Sequence, residues 1–198
     1  IPTDTVGQAQ LDAAVISALA AHTAYWPPDA TASSWFTFTT NNNEITITGY
    51  DIDGGADVVI PDYINGWPVT EIGDLAFTPG YGGMAITSVV APQATTIGAD
   101  AFSGCDLLAS VFLPQATTIG EYAFSNCSFL TSVYFDSSAP TIGTDIFYGI
   151  EANQVTNYVT NPQATGWGAK LGGMPVVRPN LYGSNVTAQA FTLGGDTI

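Results

Sequence analysis

The sequence predicts a repeat solenoid, mainly β with short helical turns, built from about five to six coils. Three observations carry this. Residues 86–107 (ITSVVAPQATTIGADAFSGCDL), 108–129 (LASVFLPQATTIGEYAFSNCSF) and 130–149 (LTSVYFDSSAPTIGTDIFYG) align at a 22-residue period. Val89, Val111 and Val133 recur in register, as do Pro92 with Pro114 and Cys105 with Cys127. Ile97, Ile119 and Ile142 recur with one insertion before the last, and so do Phe102, Phe124 and Phe147. Each copy also carries a short alternating, β-branched run, which is a strand signal. Finally, no single copy can bury its apolar side alone, so stacking is obligatory.

The elements follow in chain order. Gln8–His22 places Leu11, Val15, Ala18 and Leu19 at helical spacing, with Asp4 or Thr5 as the N-cap. Trp35–Thr40 and Glu44–Tyr50 read as two strands across Asn41-Asn42-Asn43, a β-hairpin capping the first coil. A divergent copy, VVIPDYINGWPVTEIGDLAF, carries Ile60-Pro61, Ile72-Gly73 and Ala76-Phe77 in the repeat's order. Within one coil, Ser110-Val111-Phe112-Leu113 is a strand ended by Pro114, which cannot donate to a ladder. Thr118-Ile119-Gly120 is a second extended piece, and Glu121 to Phe124 is expected to form one helical turn on the far side. Leu130 opens the next coil. A degenerate copy at TNYVTNP (156–162) and a short strand at Pro175-Val176-Val177 close the array. The expected organisation is a helix and linker (1–33), the capped solenoid (34–178) and a C-terminal extension (179–198). The first residue, Ile1, reads as the start of a processed or excised chain.

Composition narrows the partners. Two basic residues, Lys170 and Arg178, stand against seventeen acids, for a net charge of −15. Nucleic-acid binding depends on clustered Lys and Arg, so that class is excluded, as is docking on an anionic membrane. No apolar run is long enough to span a bilayer, so membrane insertion is not expected.

The pattern LxxVxxPxxxxIGxxAFxxCxxL resembles the BspA-type leucine-rich repeats of bacterial and some protist surface proteins. The resemblance covers roughly residues 36–178, with EITITGYDIDGGADVVIPDYINGWPVTEIGDLAF similar to that family's first repeat and WGAKLGGMPVV to its exit. It implies a right-handed leucine-rich-repeat solenoid, extracellular or surface-exposed placement and a role as adhesin or binding scaffold. It implies no catalytic residues and no cofactor. The tail YGSNVTAQAFTLGGDTI is similar in style to phage tail-fibre segments, which gives a virion as the other location.

Five sets of residues are candidates for function. Strand alternation turns Val58, Val89, Val111 and Val133 inward, with Ile60, Ala91, Leu113 and Phe135. It turns Asp57, Ser88, Ser110 and Ser132 outward, with Val59, Val90, Phe112 and Tyr134. The candidate binding face is therefore Val59, Ser88, Val90, Ser110, Phe112, Ser132 and Tyr134. It serves binding or assembly, or else it is cross-strand stabilisation or the seat of the N-terminal helix. Asp51, Asp53 and Asp57 surround a Gly turn and are weak calcium candidates, with turn chemistry favoured. Cys105 and Cys127 occupy equivalent positions in neighbouring coils. A disulfide is within reach, but two buried, reduced thiols are favoured. His22 is expected to end the helix in a structural role. Among Trp26, Trp35, Trp67 and Trp167, the expectation for Trp67 and Trp167 is end packing, while Trp26 anchors the linker.

No nucleophile–base pair, metal cluster or phosphate loop is present in the sequence pattern, so an enzyme is not expected. The expected function is non-catalytic surface binding or adhesion to a protein or glycan at a cell surface. The alternative is a structural subunit of an extracellular filament or phage tail fibre, whose partners would be copies of itself.

Overall fold

The computed structural model describes residues 31–78 and 85–178. They form a β-solenoid of about five turns with a parallel sheet along each of two sides. The expected helix Gln8–His22, His22 and Trp26 within 1–33, and the extension 179–198, lie outside the described residues.

One side carries β3 (Asp57–Val59), β6 (Ser88–Val90), β8 (Ser110–Phe112), β10 (Ser132–Phe135), β12 (Thr156–Val159) and β14 (Met174–Val177), stacked in that order and all parallel. Val58, Val89, Val111 and Val133 are in register and buried, because β-branched side chains suit a pleated surface covered on one face. The other side runs β2 (Glu44–Tyr50), β5 (Trp67–Ile72), β7 (Thr96–Ile97), β9 (Thr118–Ile119) and β11 (Thr141–Ile142), again parallel. β1 (Phe36–Asn41) pairs antiparallel with β2, so the expected hairpin is present and its turn is Asn42-Asn43. Both asparagines have positive φ (49° and 64°), the left-handed pair that a two-residue hairpin turn demands. β4 (Tyr63–Ile64) adds an antiparallel partner to β5, and β13 (Lys170–Leu171) does the same for β14 at the far end.

Between the sheets lies one continuous core. Phe36, Tyr50, Phe77, Phe102, Phe124 and Phe147 stack in a line with centroids 4.9–5.7 Å apart. The offset separation is favourable beyond the area it buries.

The far side of the coil corrects one expectation. Glu121 to Phe124 form no helical turn; Tyr122 is left-handed at φ 55°, as are Leu75, Asp100 and Asp145 at equivalent places. The amides of Tyr122, Phe124 and Asn126 donate to the carbonyls of Thr144, Ile146 and Tyr148 in the following coil. A helix would have turned those N–H groups along its own axis. Coil-to-coil pairing captures them instead, making a third line of inter-coil hydrogen bonds. The only helical elements among the described residues are two 3₁₀ turns, Ser33–Trp35 and Ile52–Gly54.

The glycine of each Ile-Gly pair is fixed by close approach. Gly120 N–H donates to Ile97 O at 2.7 Å. A Cβ added at Gly120 would lie 2.5 Å from Ala99 N and 2.6 Å from Gly98 C. The chain of one coil rests directly on the chain of the coil before it.

Candidate binding face

Register places the outward residues of the first sheet in two rows. One is Val59, Val90, Phe112, Tyr134, Tyr158 and Val177; the other is Asp57, Ser88, Ser110, Ser132 and Thr156. The sequence-derived face is thus brought together as one surface, and the fold adds Tyr158 and Thr156 to it. Those two were missed because their coil is degenerate, although TNYV aligned on SVYF would have found them.

The row is not uniform. Val90 was expected to be exposed, yet it is only 6% accessible, and this corrects its assignment as a free binding residue. Its neighbours Val59 and Phe112 are half-buried. Phe112 and Tyr134 meet at 6.4 Å with rings tilted by 47°. Tyr134 and Tyr158 stack at 5.0 Å, only 16° from parallel. Burial, with the Tyr134 ring beside it, pushes the Tyr158 hydroxyl above its ordinary pKa. The Tyr158 phenol therefore stays neutral and presents an amphipathic edge.

Asp57 begins the hydroxyl row as an acceptor. Its Oδ1 takes hydrogen bonds from Thr87 Oγ1 (2.6 Å) and Ser88 Oγ (2.7 Å). Those bonds stabilise the ionised form and hold its carboxyl below the usual carboxylate range. Asp51 Oδ1 instead accepts from Asp53 N–H at 3.1 Å and caps the 3₁₀ turn. Asp51, Asp53 and Asp57 are therefore not gathered into a calcium site, and no group of three or more His, Cys, Asp or Glu among the described residues could hold a metal. Turn and hydroxyl hydrogen bonds engage Asp51 Oδ1 and Asp57 Oδ1 separately.

Three residues before Ser110 and Ser132 in the chain stand two large apolar residues that sequence reasoning passed over. Leu107 is 46% exposed and Phe129 62%. They occupy the same place in consecutive coils, just before Leu108 and Leu130, which are fully buried. The sequence signal lay in the doublets Leu107-Leu108 and Phe129-Leu130, of which only one member can point inward.

Cys105 and Cys127 are buried free thiols. Cys105 Sγ donates to Phe77 O and Cys127 Sγ to Phe102 O, each at 3.1 Å, so each thiol bonds the preceding coil. Burial pushes both thiols up, Cys127 to about 12, and neither has the thiolate character of a nucleophile. Trp167 packs on Phe135 (5.0 Å) and its Nε1 donates to Ser137 O, as end packing requires. Trp35 also lies against the core. Trp67 departs from expectation: it is 39% exposed on the β4–β5 hairpin, because Ile64 across the ladder already fills the core position. No helix among the described residues is long and apolar enough to cross a membrane.

Comparison with known proteins gives a consistent picture. A family of BspA-type leucine-rich repeat regions matches over residues 65–165, in six copies. No curated protein matches the chain. Among solved structures, the leucine-rich repeat protein of T. pallidum is similar at 27% identity with a TM-score of 0.58, over 75% of this chain and 65% of that one. A leucine-rich repeat protein from Bacteroides capillosus is 27% identical over 59% of this chain and 94% of that one, with a TM-score of 0.48. A leucine-rich cell surface protein from Faecalibacterium prausnitzii is 23% identical over 67% of this chain and 45% of its own, with a TM-score of 0.43. The chain thus spans somewhat under two thirds of the T. pallidum protein and less than half of the F. prausnitzii one.

Proposed function

Since the chain belongs to the BspA-type leucine-rich repeat proteins, we propose that it is a non-catalytic cell-surface scaffold that binds a protein partner through the first sheet's outer face. The observation carrying this is the tyrosine end of that face. Tyr134 and Tyr158 take the next outward position along their strands from Ser132 and Thr156, and Leu107 and Phe129 are exposed in the segments that lead into β8 and β10. Interfaces favour aromatic anchors with a polar margin, and solenoids offer their sheet face as an extended surface. Surface placement rests on the family and on the F. prausnitzii relative, described as a cell surface protein.

A protein suits the face better than a glycan. Carbohydrate stacking uses a free aromatic face, and Tyr134 and Tyr158 turn their faces to each other. What they offer outward is ring edge and hydroxyl, which suits protein side chains and backbone. The net charge of −15 favours a partner with a basic margin, through faster and more selective encounter. Filament or tail-fibre assembly by end-to-end stacking has less support. The β1–β2 hairpin ends one sheet at one end of the described array, and the β13–β14 hairpin ends the other sheet at the far end. One parallel sheet edge at each end is thus replaced by an antiparallel hairpin.

The test is a panel of purified extracellular proteins alongside a glycan array, probed with the wild type and with the Tyr134→Ser/Phe129→Ser variant. The expected result is a protein hit whose affinity falls about tenfold or more in the folded variant. Glycan hits alone, or an unchanged protein affinity, would discard this face.

A further inference from the structure

The sheet edges at the ends of the described array are guarded unequally. In the first sheet, Thr31 bonds β3 at one end, its N–H donating to Val59 O at 3.1 Å. At the other end β13 has two residues, one of them Lys170. In the second sheet, β11 also has two residues, Thr141–Ile142. β1 differs. It is six residues long, Phe36–Asn41, and among the described residues it pairs with β2 alone. Alternate N–H and C=O groups of such a strand point away from its neighbour, ready to pair. Shortness, charge and proline are the usual protections of an edge. From Thr31 to Asn43 there is no charged residue and no proline, in a chain of net charge −15. The register shift between Thr37 and Phe38 sets its extra residue, Thr48, on β2, so β1 itself runs unbroken. Phe38 is only half-buried, whereas Ile45 and Ile47 of β2 are at 0% exposure. A strand added beside β1 would cover it.

We propose that β1 is a dimerisation edge, to which β1 of a second copy adds antiparallel across a two-fold axis centred on Phe38. Charge decides between occupants. A basic partner is drawn to the acids elsewhere on the molecule, not to its uncharged edge. Two chains of net charge −15 instead approach most easily where neither carries charge. The strand also matches itself. Facing residues of an antiparallel pair share one face of the sheet, so both cores lie on the same side only when the axis falls on a residue. Centred on Phe38, it sets Phe38 opposite Phe38, Thr37 opposite Thr39 and Phe36 opposite Thr40. Aromatic and threonine pairs of this kind stabilise sheets, and no like charges oppose each other. The contact is isologous and closes at two copies. Stacking of β1 on β11 would be open-ended, and β11 offers it only two residues. One strand pair is a small interface, so the dimer is expected to dissociate on dilution. It does not depend on the binding face above, because its test involves no other protein.

Sedimentation velocity of the full chain is expected to show a monomer that converts to a dimer as concentration rises. Thr37 and Thr39 are exposed, so Thr37→Lys/Thr39→Lys should keep the solenoid folded by circular dichroism. It sets lysine opposite lysine across the axis and should abolish the dimer. Mixing that variant with Thr37→Glu/Thr39→Glu should restore it as a mixed dimer. Register is read by cross-linking. A Thr37→Cys chain and a Thr39→Cys chain, mixed and mildly oxidised, should form a covalent dimer, because facing positions lie within disulfide reach. Either chain alone should cross-link far more slowly, and Cys105 and Cys127 are buried and take no part. A monomer at every concentration, or assemblies that grow beyond two copies, would overturn the proposal. So would a dimer that survives the lysine variant, a lysine–glutamate mixture that stays monomeric, or equal cross-linking in the single-variant samples.

Discussion

Single residues in this solenoid are held by the coil behind them, and that sets their sensitivity. Gly120 has no room for a methyl group because Ala99 N would lie 2.5 Å away, in backbone that cannot rotate aside. Gly120→Ala is therefore expected to destabilise the protein by about 1–3 kcal/mol, the usual cost of overpacking, with a lower denaturation midpoint in urea. The thiols make a second case. Folding raises their pKa, so the native state keeps protons that the unfolded chain releases above pH 9. The stability they contribute is complete below that point. It is lost as pH rises through the folded value of about 12 for Cys127, at about 1.4 kcal/mol per pH unit for each thiol. Urea midpoints should fall steadily above pH 9, and the Cys105→Ala/Cys127→Ala variant should flatten that slope. A steep decline persisting in the double variant would move the cause to Tyr50 and Tyr158, whose hydroxyls are also raised by burial.

Elements here are very short, and their stability comes from neighbours. β7, β9 and β11 have two residues each, too few to persist alone, yet β7 and β9 are fixed in register by the coils on either side and β11 by β9. The β1–β2 hairpin is the exception, because its turn has local chemistry of its own. Asn42 and Asn43 both sit in the left-handed region, which asparagine tolerates and β-branched residues resist. Asn43→Val should cost about 1–2 kcal/mol and open the hairpin first, read as early loss of amide protection in β1. The closing element works through a core position. Asn157 replaces the valine of the buried row and is itself fully buried, with Nδ2 3.3–3.4 Å from the carbonyls of Leu171, Met174 and Pro175. A valine there would pack equally well but leave those three carbonyls without that donor.

At the scale of the whole molecule, the structure is quasi-one-dimensional. Each coil touches only its neighbours, so local opening begins at the ends and moves inward. Amide exchange is expected to be slowest in β8 and β10 and fastest in β1 and β13, with a graded profile between them. Uniform protection across the array would instead mean a single all-or-none unit. The same stacking draws Val59, Ser88, Val90, Ser110, Phe112, Ser132 and Tyr134, spread over more than seventy residues of sequence, onto one face.

The sequence by itself determined the period, and with it the register, the inward valines and the line of phenylalanines. A repeated pattern names its own spatial neighbours, and strand alternation then assigns sides. The hairpin was legible for a similar reason, since Asn-Asn between two β-branched runs is a local signal. Three features waited for the tertiary structure. The far-side turn was left-handed because its amides found carbonyls in the next coil, a competitor that no single-coil reading contains. Leu107 and Phe129 were exposed because their neighbours Leu108 and Leu130 had already filled the core. Val90 was covered although alternation sends it outward. Alternation decides which way a side chain points; only the packing of distant chain decides what meets it there.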